Sequence, residues 1–492
     1  MITNMKTHLN SLIKPYALVG IVGLVVLSGC DKFVTKYPID QTSVENSFTT
    51  AEDANMAVLG IYQRLDGAYA QNMARLTEVI TDNAYSQQDV LKGAGAVDLR
   101  ELAEFRLTSE NSFMQNRWND LYNGISRANL VLERIVDITF SDQQQKNQYI
   151  GESKFLRALF YFDLVRFFGG VPVTLSPIMS SEEAYALARE SEEYVYTEVI
   201  VKDLEEAAQL LPVSYGSNQL GRVTKGAAEA LLAKVYLTVD KPELALPLLE
   251  KVRASATYRL MDEYAQVFDS DNTPESIFEI QYTADEAAVG NPYPNWFLPN
   301  DASSGKDVFG NGFLGGAGGG HAIPTSELYE SYERTDQRRD YTFAPYVSAL
   351  EGGEIQRVNK YRDAPASPNN SEDNLIVLRY ADVLLMLAEA INEASGGPTD
   401  EAYEAVDEVR RRAGVNPWDR NLAYEGFKDQ LLAERRRELA FENHRWFDLK
   451  RFGKAIEILS AKGYNIQAHH LLFPIPRIEV ELNQYIDQNP GY

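Results

Sequence analysis

The fold is decided by the stretch from residue 151 to residue 173, GESKFLRALFYFDLVRFFGGVPV. Between residues 155 and 168 it has no proline or glycine, and its apolar side chains fall on nearly every side of a 3.6-residue helix. A helix that is apolar on all sides is buried against several neighbours. Asp163 and Arg166 have the i, i+3 spacing of a helical ion pair, and Gly169-Gly170 supplies a helix stop. The stretch therefore predicts a central helix covered by other helices.

Amphipathic periodicity predicts further helices on both sides of this central one. Small residues in 224–238, followed by a short turn into 242–254, are typical of a tetratricopeptide-like helix pair. The sequence predicts a mainly α fold with four such pairs, although generic helix packing is the alternative because no strict 34-residue period exists. The predicted pairs are 51–66 with 115–136, 143–168 with 194–211, 224–238 with 242–254, and 378–394 with 401–413. A further helix is predicted at 427–452.

Irregular stretches interrupt the helical pattern. Residues 71–112 have poor periodicity, 276–282 resemble a strand, and 291–320 are rich in Gly, Pro, Asn and aromatic residues. A long irregular insertion in a helical scaffold either carries function or is disordered, and the aromatic residues favour function. We predict one domain over 50–492, with a helical scaffold at about 50–255 and 375–455. A loop-rich mixed α/β part at about 256–374 is expected to carry the ligand side.

The N-terminus has the pattern of an export signal. Residues 16–27 are uncharged, too short to span a bilayer and of the length of a secretory hydrophobic segment. Leu27-Ser28-Gly29 precedes Cys30, the only cysteine, in an arrangement that looks like a bacterial lipobox. This predicts a signal peptide at 1–29, lipid on Cys30 and an extended leader at 30–49. An ordinary signal followed by a stray cysteine is the alternative. A lipid would anchor the protein to a membrane without spanning it.

Charge and residue types argue against several function classes. A net charge of −24 repels phosphate backbones, which argues against nucleic-acid binding. The chain has five His and no HExxH, and we interpret His469 and His470 as surface residues. Residues 124–128 nearly match a nucleophile elbow but lie in a helical pattern, so Ser126 is read as a helix residue. The glycine run at 310–320 lacks the Lys-Ser/Thr of a phosphate loop. We predict no catalytic residues, and the protein is expected not to be an enzyme.

Two charged stretches have a structural interpretation. Asp269, Asp271 and Glu275 are hard oxygen ligands on one short loop, which makes a structural calcium ion possible. We favour a solvated acidic turn, and no cofactor or other metal is predicted. In 434–451, arginines alternate with acids, a pattern that indicates pairing within the chain, with the aromatic pair Trp446-Phe447 packed inward.

Motifs along nearly the whole chain occur in the order of one family. They are Cys30-Asp31-Lys32-Phe33, residues 151–158 with Tyr161-Phe162 and 169–172, Arg379-Tyr380-Ala381-Asp382, residues 434–442, residues 445–449 and residues 472–476. This set resembles the SusD/RagB family of Bacteroidota outer-membrane lipoproteins. The resemblance implies a scaffold of four tetratricopeptide-like pairs, a loop-rich ligand part, and an outer-membrane, surface-exposed lid on a SusC-like TonB-dependent transporter barrel. It also implies an oligomeric extracellular ligand, an oligosaccharide by default.

Ligand residues are predicted in the two loop regions. Sugar rings have apolar C–H faces that stack on aromatic side chains, while amides and carboxylates bind hydroxyls, as in sites with a few placed polar groups. The candidates are Trp296, Tyr293, Phe297, Asn295, Asp82, Asn83 and Tyr85. Trp296 comes first because no helical stripe buries it. No family motif covers these positions, and ordinary loop packing is the alternative for each.

These observations predict a non-catalytic surface lipoprotein that captures an oligosaccharide and hands it to a transporter barrel. Three alternatives remain open. The first is a RagB-like oligopeptide binder, the second is a surface glycoside hydrolase, and the third is a helical-repeat adaptor that binds only a protein.

Overall fold

The central helix runs from Gln143 to Phe168 in the computed structural model, which describes residues 48–70, 73–92, 96–283, 290–301, 318–362 and 370–492. The Asp142 side chain caps its first turn by accepting a hydrogen bond from the Gln144 amide. Phe155, Leu156, Phe160 and Phe162 are among the fully buried side chains that cover its different faces, as predicted. The predicted Asp163–Arg166 ion pair forms, and the helix ends at Gly169 with a φ of 74°.

The first half of the described chain is helical. Its helices are α1 Ala51–Ala70, α2 Met73–Thr77, α3 Gln88–Lys92, α4 Val97–Ala103, α5 Ser112–Arg134, α6 Gln143–Phe168, α7 Ser181–Ala184, α8 Glu192–Tyr194, α9 Lys202–Leu210, α10 Lys225–Thr238 and α11 Pro242–Ala254. A π-helical segment, Val195–Val201, joins α8 to α9. The stretch 71–112 is therefore not irregular throughout, because α2, α3 and α4 lie in it. These helices are too short to show a periodic pattern in the sequence.

The second half alternates short elements with long helices. The helices are α12 Tyr293–Trp296, α13 Ser326–Glu330, α14 Gln337–Thr342, α15 Tyr380–Ser395, α16 Asp400–Arg412, α17 Tyr424–Glu438, α18 Arg445–Arg451, α19 Ala455–Ala461 and α20 Arg477–Leu482. The predicted helix at 427–452 is wrong as a single element. Phe441 and Asn443 have φ angles of 65° and 66°, so the backbone between α17 and α18 leaves the helical region.

The long helices pack as the predicted pairs. Contacts join α1 to α5, α6 to α9, α10 to α11, and α15 to α16. The pairs also contact one another, with α6 against α5 and α15 against α11. A Cβ on Gly124 of α5 would lie 2.3 Å from the Phe160 ring, so this glycine lets α5 approach α6 closely. Residues Thr50–Tyr492 form one compact unit.

The described residues contain three short antiparallel strand pairs, two of which connect distant parts of the chain. The strands are β1 Ala84–Tyr85, β2 Ser276–Ile280, β3 Ile323–Pro324, β4 Phe343–Ser348, β5 Gly353–Val358 and β6 Leu375–Arg379. β1 pairs with β3, β2 with β6, and β4 with β5. The strand predicted at 276–282 ends at Ile280. The register Tyr85 to Ile323 brings the stretch after α2 against the loop-rich part of the chain.

A buried network of charges holds these parts together, and it confirms that the charged side chains of 434–451 pair within the chain. Arg379 contacts Glu275, Glu438 and Glu442 at 2.6 to 2.8 Å. Burial alone would raise the pKa of Glu438, but the guanidinium groups around it, that of Arg379 among them, hold it at about 2. Trp446 is fully buried.

The membrane-related predictions concern the N-terminus. Residues 1–29, Cys30 and the leader up to residue 47 lie outside the described residues. Across the described ranges, no helix combines the length and the apolar character that crossing a membrane requires.

Candidate ligand-binding face

Trp296 lies at the end of α12 and is half-buried. The ring centroids of Tyr293 and His321 lie 6.1 and 6.2 Å from that of Trp296, both in stacked orientation. The Arg75 guanidinium carbon lies 4.1 Å from the Trp296 centroid, within the range of a cation–π contact. Arg75 also donates from Nε to His321 Nδ1 at 2.9 Å. The indole is thus fixed by a cation and two aromatic rings.

His321 is a neutral acceptor in this arrangement. Burial, followed by the nearby charge of Arg75, lowers the pKa of His321 to about 3. Burial also lowers the pKa of Arg75, to about 10, which leaves the guanidinium charged at neutral pH. The hydrogen bond from Arg75 to His321 therefore persists across the physiological pH range.

Tyr85 lies on β1 opposite Ile323, two residues after His321, and is half-buried. Burial and then the charge of Glu351 raise the pKa of Tyr85 to about 12, so the hydroxyl is protonated at neutral pH. Gln87 donates to Glu351 Oε1 at 3.4 Å, and Ser86 Oγ donates to the His321 carbonyl at 2.6 Å. We call the surface formed by Arg75, Tyr85, Trp296, His321 and Glu351 the Trp296 face.

Three predicted ligand residues lie beneath this face instead of on it. Tyr293 is fully buried, and its hydroxyl donates to the Tyr69 carbonyl at 3.2 Å. Phe297 is 2% exposed and packs on Tyr293 with the ring centroids 5.3 Å apart. Asn295 is buried, and its backbone carbonyl accepts a hydrogen bond from the Gly319 amide at 2.9 Å. Their contacts hold α12 in place and so position Trp296.

Asp82 and Asn83 anchor the loop that leads to Tyr85. Both are buried. The Asp82 carboxylate accepts two hydrogen bonds from Arg445 at 2.8 Å each, and Arg436 lies 3.2 Å away. Burial opposes ionisation of Asp82, but the two arginines outweigh it and lower its pKa. Asn83 accepts from Arg436 Nε at 3.0 Å and donates to Glu78 at 3.2 Å. These residues connect the loop to α17 and α18.

Nothing in the sequence indicated Arg75, His321 or Glu351 as site residues. Each is a single polar residue in a stretch without a motif, and each meets its partners only through the β1–β3 pairing and the turn after β4. The glycines before His321 drew attention to this loop but not to the side chain that follows them.

The other candidate sites have structural explanations. Glu275 is fully buried and pairs with Arg379 and Arg412 at 2.8 Å each, so the prediction of a solvated acidic turn is wrong for this residue. Asp269 accepts from a tyrosine hydroxyl at 2.7 Å, and Asp271 accepts from a backbone amide at 3.2 Å. The three carboxylates face different partners. In the described part of the chain, no group of three or more His, Cys, Asp or Glu residues is placed to hold a metal ion.

Two smaller predictions are also settled by the structure. Ser126 lies inside α5, as predicted. The surface assignment is wrong for His470, which is 4% exposed and accepts at Nδ1 from the Gln467 amide at 3.0 Å. The two histidines lie on a 3-10 helix, Ala468–Leu471, which turns His470 inward.

Two family models match this chain, one in its first half and one at its C-terminal end. Residues 351–492 match the family model described as the SusD family, and residues 40–237 match the one described as starch-binding associating with outer membrane. The chain belongs to the SusD/RagB family. The second description agrees with the predicted association with the outer membrane.

Relatives cover nearly the whole SusD-like chain. Two SusD-like proteins of Formosa agariphila are 27% and 28% identical, over 96% and 97% of this chain and 97% and 100% of their own. A solved laminarin-binding SusD-like protein is 28% identical with a TM-score of 0.78, covering 90% of this chain and 100% of its own. Surface glycan-binding protein A from Bacteroides thetaiotaomicron, solved with laminarihexaose, is 25% identical with a TM-score of 0.75, at 90% and 100% coverage. The predicted mainly α, SusD-like fold is confirmed.

Proposed function

We propose that this protein is an outer-membrane lipoprotein that captures an oligosaccharide at the Trp296 face without cleaving it. It delivers the oligosaccharide to a SusC-like TonB-dependent transporter. The observation that carries the proposal is the half-buried indole of Trp296, fixed by Arg75 and His321 on the loop-rich side of a SusD-like fold. Relatives of this chain with the same fold bind laminarin or laminarihexaose.

The chemistry of the Trp296 face suits a sugar ring. The exposed part of the indole offers an apolar surface for the C–H face of a pyranose. Around it, the Arg75 guanidinium supplies donors for sugar hydroxyls, the Glu351 carboxylate supplies acceptors, and the Tyr85 hydroxyl can act as either. A site with one large aromatic surface and a few placed polar groups both binds and orients its ligand.

The packing beneath the face favours binding by a preformed surface. Tyr293 and Phe297 hold α12 from below, and Asp82 holds the loop before Tyr85 through Arg445. Side chains that are already ordered lose little conformational entropy when a ligand arrives. These buried residues therefore contribute to affinity by holding Trp296 and Tyr85 in place, and Trp296 and Tyr85 contact the ligand.

Calorimetry on soluble protein that begins after Cys30 tests the proposal. Laminarihexaose is the first ligand because two of the structural relatives bind laminarin or laminarihexaose. The titrations include other oligosaccharides and mixed peptides, with product analysis of every sample. We expect saturable oligosaccharide binding and unchanged ligand. Binding of peptides alone supports the oligopeptide alternative, and cleavage products support the hydrolase.

Two variants test whether the binding site lies at the Trp296 face. Trp296→Ala is expected to weaken laminarihexaose binding at least about tenfold, or about 1.4 kcal/mol. Tyr485→Ala removes an aromatic side chain that is 53% exposed and outside the Trp296 face, and it is expected to leave affinity unchanged. Equal affinity in the wild type and the Trp296 variant moves the proposed site elsewhere.

A further inference from the structure

A second cleft, of about 600 Å³, opens beside α1 and shares no residue with the Trp296 face. It lies between α1, the first turns of α6, the turn at 218–222 and the end of β2. We call it the α1 cleft. The residues that matter for its chemistry are Asn55, Tyr62, Gln63, Asp66, Tyr149 and Leu220.

Hydrogen bonds fix the walls of the α1 cleft. Arg222 contacts both carboxylate oxygens of Glu152, at 2.9 and 3.0 Å, and donates to Asn55 Oδ1 at 2.5 Å. The Val223 amide donates to the Tyr62 hydroxyl at 3.0 Å. These bonds join α1, α6 and the 218–222 turn. The cleft is therefore preformed, and its one arginine is already engaged by a carboxylate.

Asp66 lines this cleft with a carboxyl group that is free to bind a ligand. Burial raises the pKa of Asp66 to about 7, and the charge of Arg64 opposes this only in part. Within the described residues, the carboxyl group has no hydrogen-bonding partner and no ion pair. Buried polar groups are normally satisfied, so this end of the cleft can still bind a polar ligand.

The lining selects a neutral, hydroxyl-rich ligand. Glu52, Asp66 and Glu279 are acids in the cleft, so they disfavour anionic ligands such as phosphates. Amide side chains such as Gln63, which has no hydrogen-bonding partner among the described residues, both donate and accept hydrogen bonds, as sugar hydroxyls require. Leu220, 59% exposed at the rim, gives an apolar surface for the face of a sugar ring.

We infer that the α1 cleft is a second saccharide-binding site, which takes neutral sugar units independently of the Trp296 face. The inference rests on the proposed function, because it assigns the same class of ligand. The cleft has no indole surface, and the Tyr62 hydroxyl is already hydrogen-bonded, so this is the weaker of the two sites. Two sites on one chain raise the apparent affinity for a long polysaccharide without any new contact.

Four variants test the inference by calorimetry with laminarihexaose. The first is Trp296→Ala, and the second is a cleft variant with Asp66→Leu and Gln63→Ala. The third combines all three substitutions. The fourth, Asp120→Leu, is the matched control, since Asp120 is a partly buried carboxyl on α5 whose pKa burial also raises but which does not line the cleft. Circular dichroism of each variant confirms folding.

The wild type is expected to bind laminarihexaose at two sites, and Trp296→Ala to retain the weaker one. Adding the cleft substitutions to Trp296→Ala is expected to reduce the remaining affinity at least tenfold, whereas Asp120→Leu behaves as the wild type. Loss of all binding in Trp296→Ala, or residual binding that the cleft substitutions leave unchanged, overturns the inference. If the cleft variant loses binding and Trp296→Ala does not, the inference stands and the proposed primary site fails. Absence of binding in the wild type overturns both.

Discussion

At the scale of single residues, buried charges explain much of this molecule. Arg379 meets three carboxylates at 2.6 to 2.8 Å, and its side chain is 1% exposed. Asp82 is held in the same way by Arg445. Bringing charges into a protein interior is costly, so such a group is stable only while its partners are present. The loop below the Trp296 face depends on this kind of contact.

The first prediction concerns Arg379. Arg379→Ala is expected to lower the free energy of unfolding by about 3–5 kcal/mol, because it leaves buried carboxylates without a counter-charge. Urea unfolding measures this change. The control is Arg411→Ala, which removes an exposed ion pair with Glu404 and is expected to cost less than about 1 kcal/mol. Similar losses in both variants contradict the structural importance of the buried network.

A second prediction follows from Glu78. Burial raises its pKa to about 7, although Asn83 and the Asn443 amide hydrogen-bond to it. The folded state therefore holds a proton that the unfolded state releases near pH 4.5. Glu78 contributes stability below that pH, and this contribution is lost as pH rises to about 7. The loss is on the order of 2 to 3 kcal/mol.

Urea unfolding of the wild type and Glu78→Gln between pH 4.5 and 8 checks this sign. The wild type is expected to lose more stability than the variant between pH 4.5 and 7, and the two curves are expected to run parallel above pH 7. Identical pH dependence in the two proteins rules out an elevated pKa for Glu78.

At this scale, the sequence could not show which loop residues are anchored by distant partners. Asp82 and Asn83 have the composition of a ligand loop, but Arg445 lies 363 residues from Asp82 along the chain, and Arg436 lies 353 residues from Asn83. No local pattern contains such partners. The alternating charges of 434–451 did predict pairing within the chain, since the charges themselves are local.

At the scale of elements, the sequence predicted those helices whose apolar pattern is unbroken along their length. The bounds of α6 follow from its apolar faces, the Asp142 cap and the Gly169 stop, and all three are visible in the sequence. The break between α17 and α18 was missed because the residues with positive φ are Phe441 and Asn443 instead of glycine. Glycine marks a left-handed turn in a sequence far more clearly than Asn does, and Phe does not mark one at all.

The third prediction compares two helical glycines. Gly124→Ala places a Cβ 2.3 Å from the Phe160 ring and is expected to lower the free energy of unfolding by about 1–3 kcal/mol. A Cβ on Gly426 of α17 would have its nearest neighbour 3.9 Å away, at Leu422. Gly426→Ala is therefore expected to stabilise the protein by about 0.5–1 kcal/mol through helix propensity. Thermal unfolding separates the two, and destabilisation of equal size in both contradicts the close approach of α5 and α6.

At the scale of the whole molecule, the repeat-like helices form a scaffold, and the loop-rich part contributes Trp296 and His321 of the Trp296 face. The sequence located that part and singled out Trp296, because no helical stripe accounts for its ring. It did not predict the α1 cleft, whose walls come from α1, α6, the 218–222 turn and β2. Each of these segments looks like an ordinary part of the scaffold when it is read alone.

The fourth prediction concerns attachment to the membrane. Cys30→Ser is expected to abolish incorporation of labelled fatty acid in the producing bacterium and to release the protein from the membrane fraction. The physical reason is that the lipid supplies the apolar surface that holds the chain at the bilayer. A Cys30→Ser protein that stays in the membrane fraction contradicts the proposed lipid anchor.

The most direct test of the central claim is a crystal structure of the protein saturated with laminarihexaose. The proposal predicts a pyranose ring in van der Waals contact with the Trp296 indole, at about 4 Å. Its hydroxyls are expected to lie within hydrogen-bonding distance of Tyr85, Arg75 or Glu351. Laminarihexaose bound elsewhere on the chain, with no sugar ring at the Trp296 face, would contradict it.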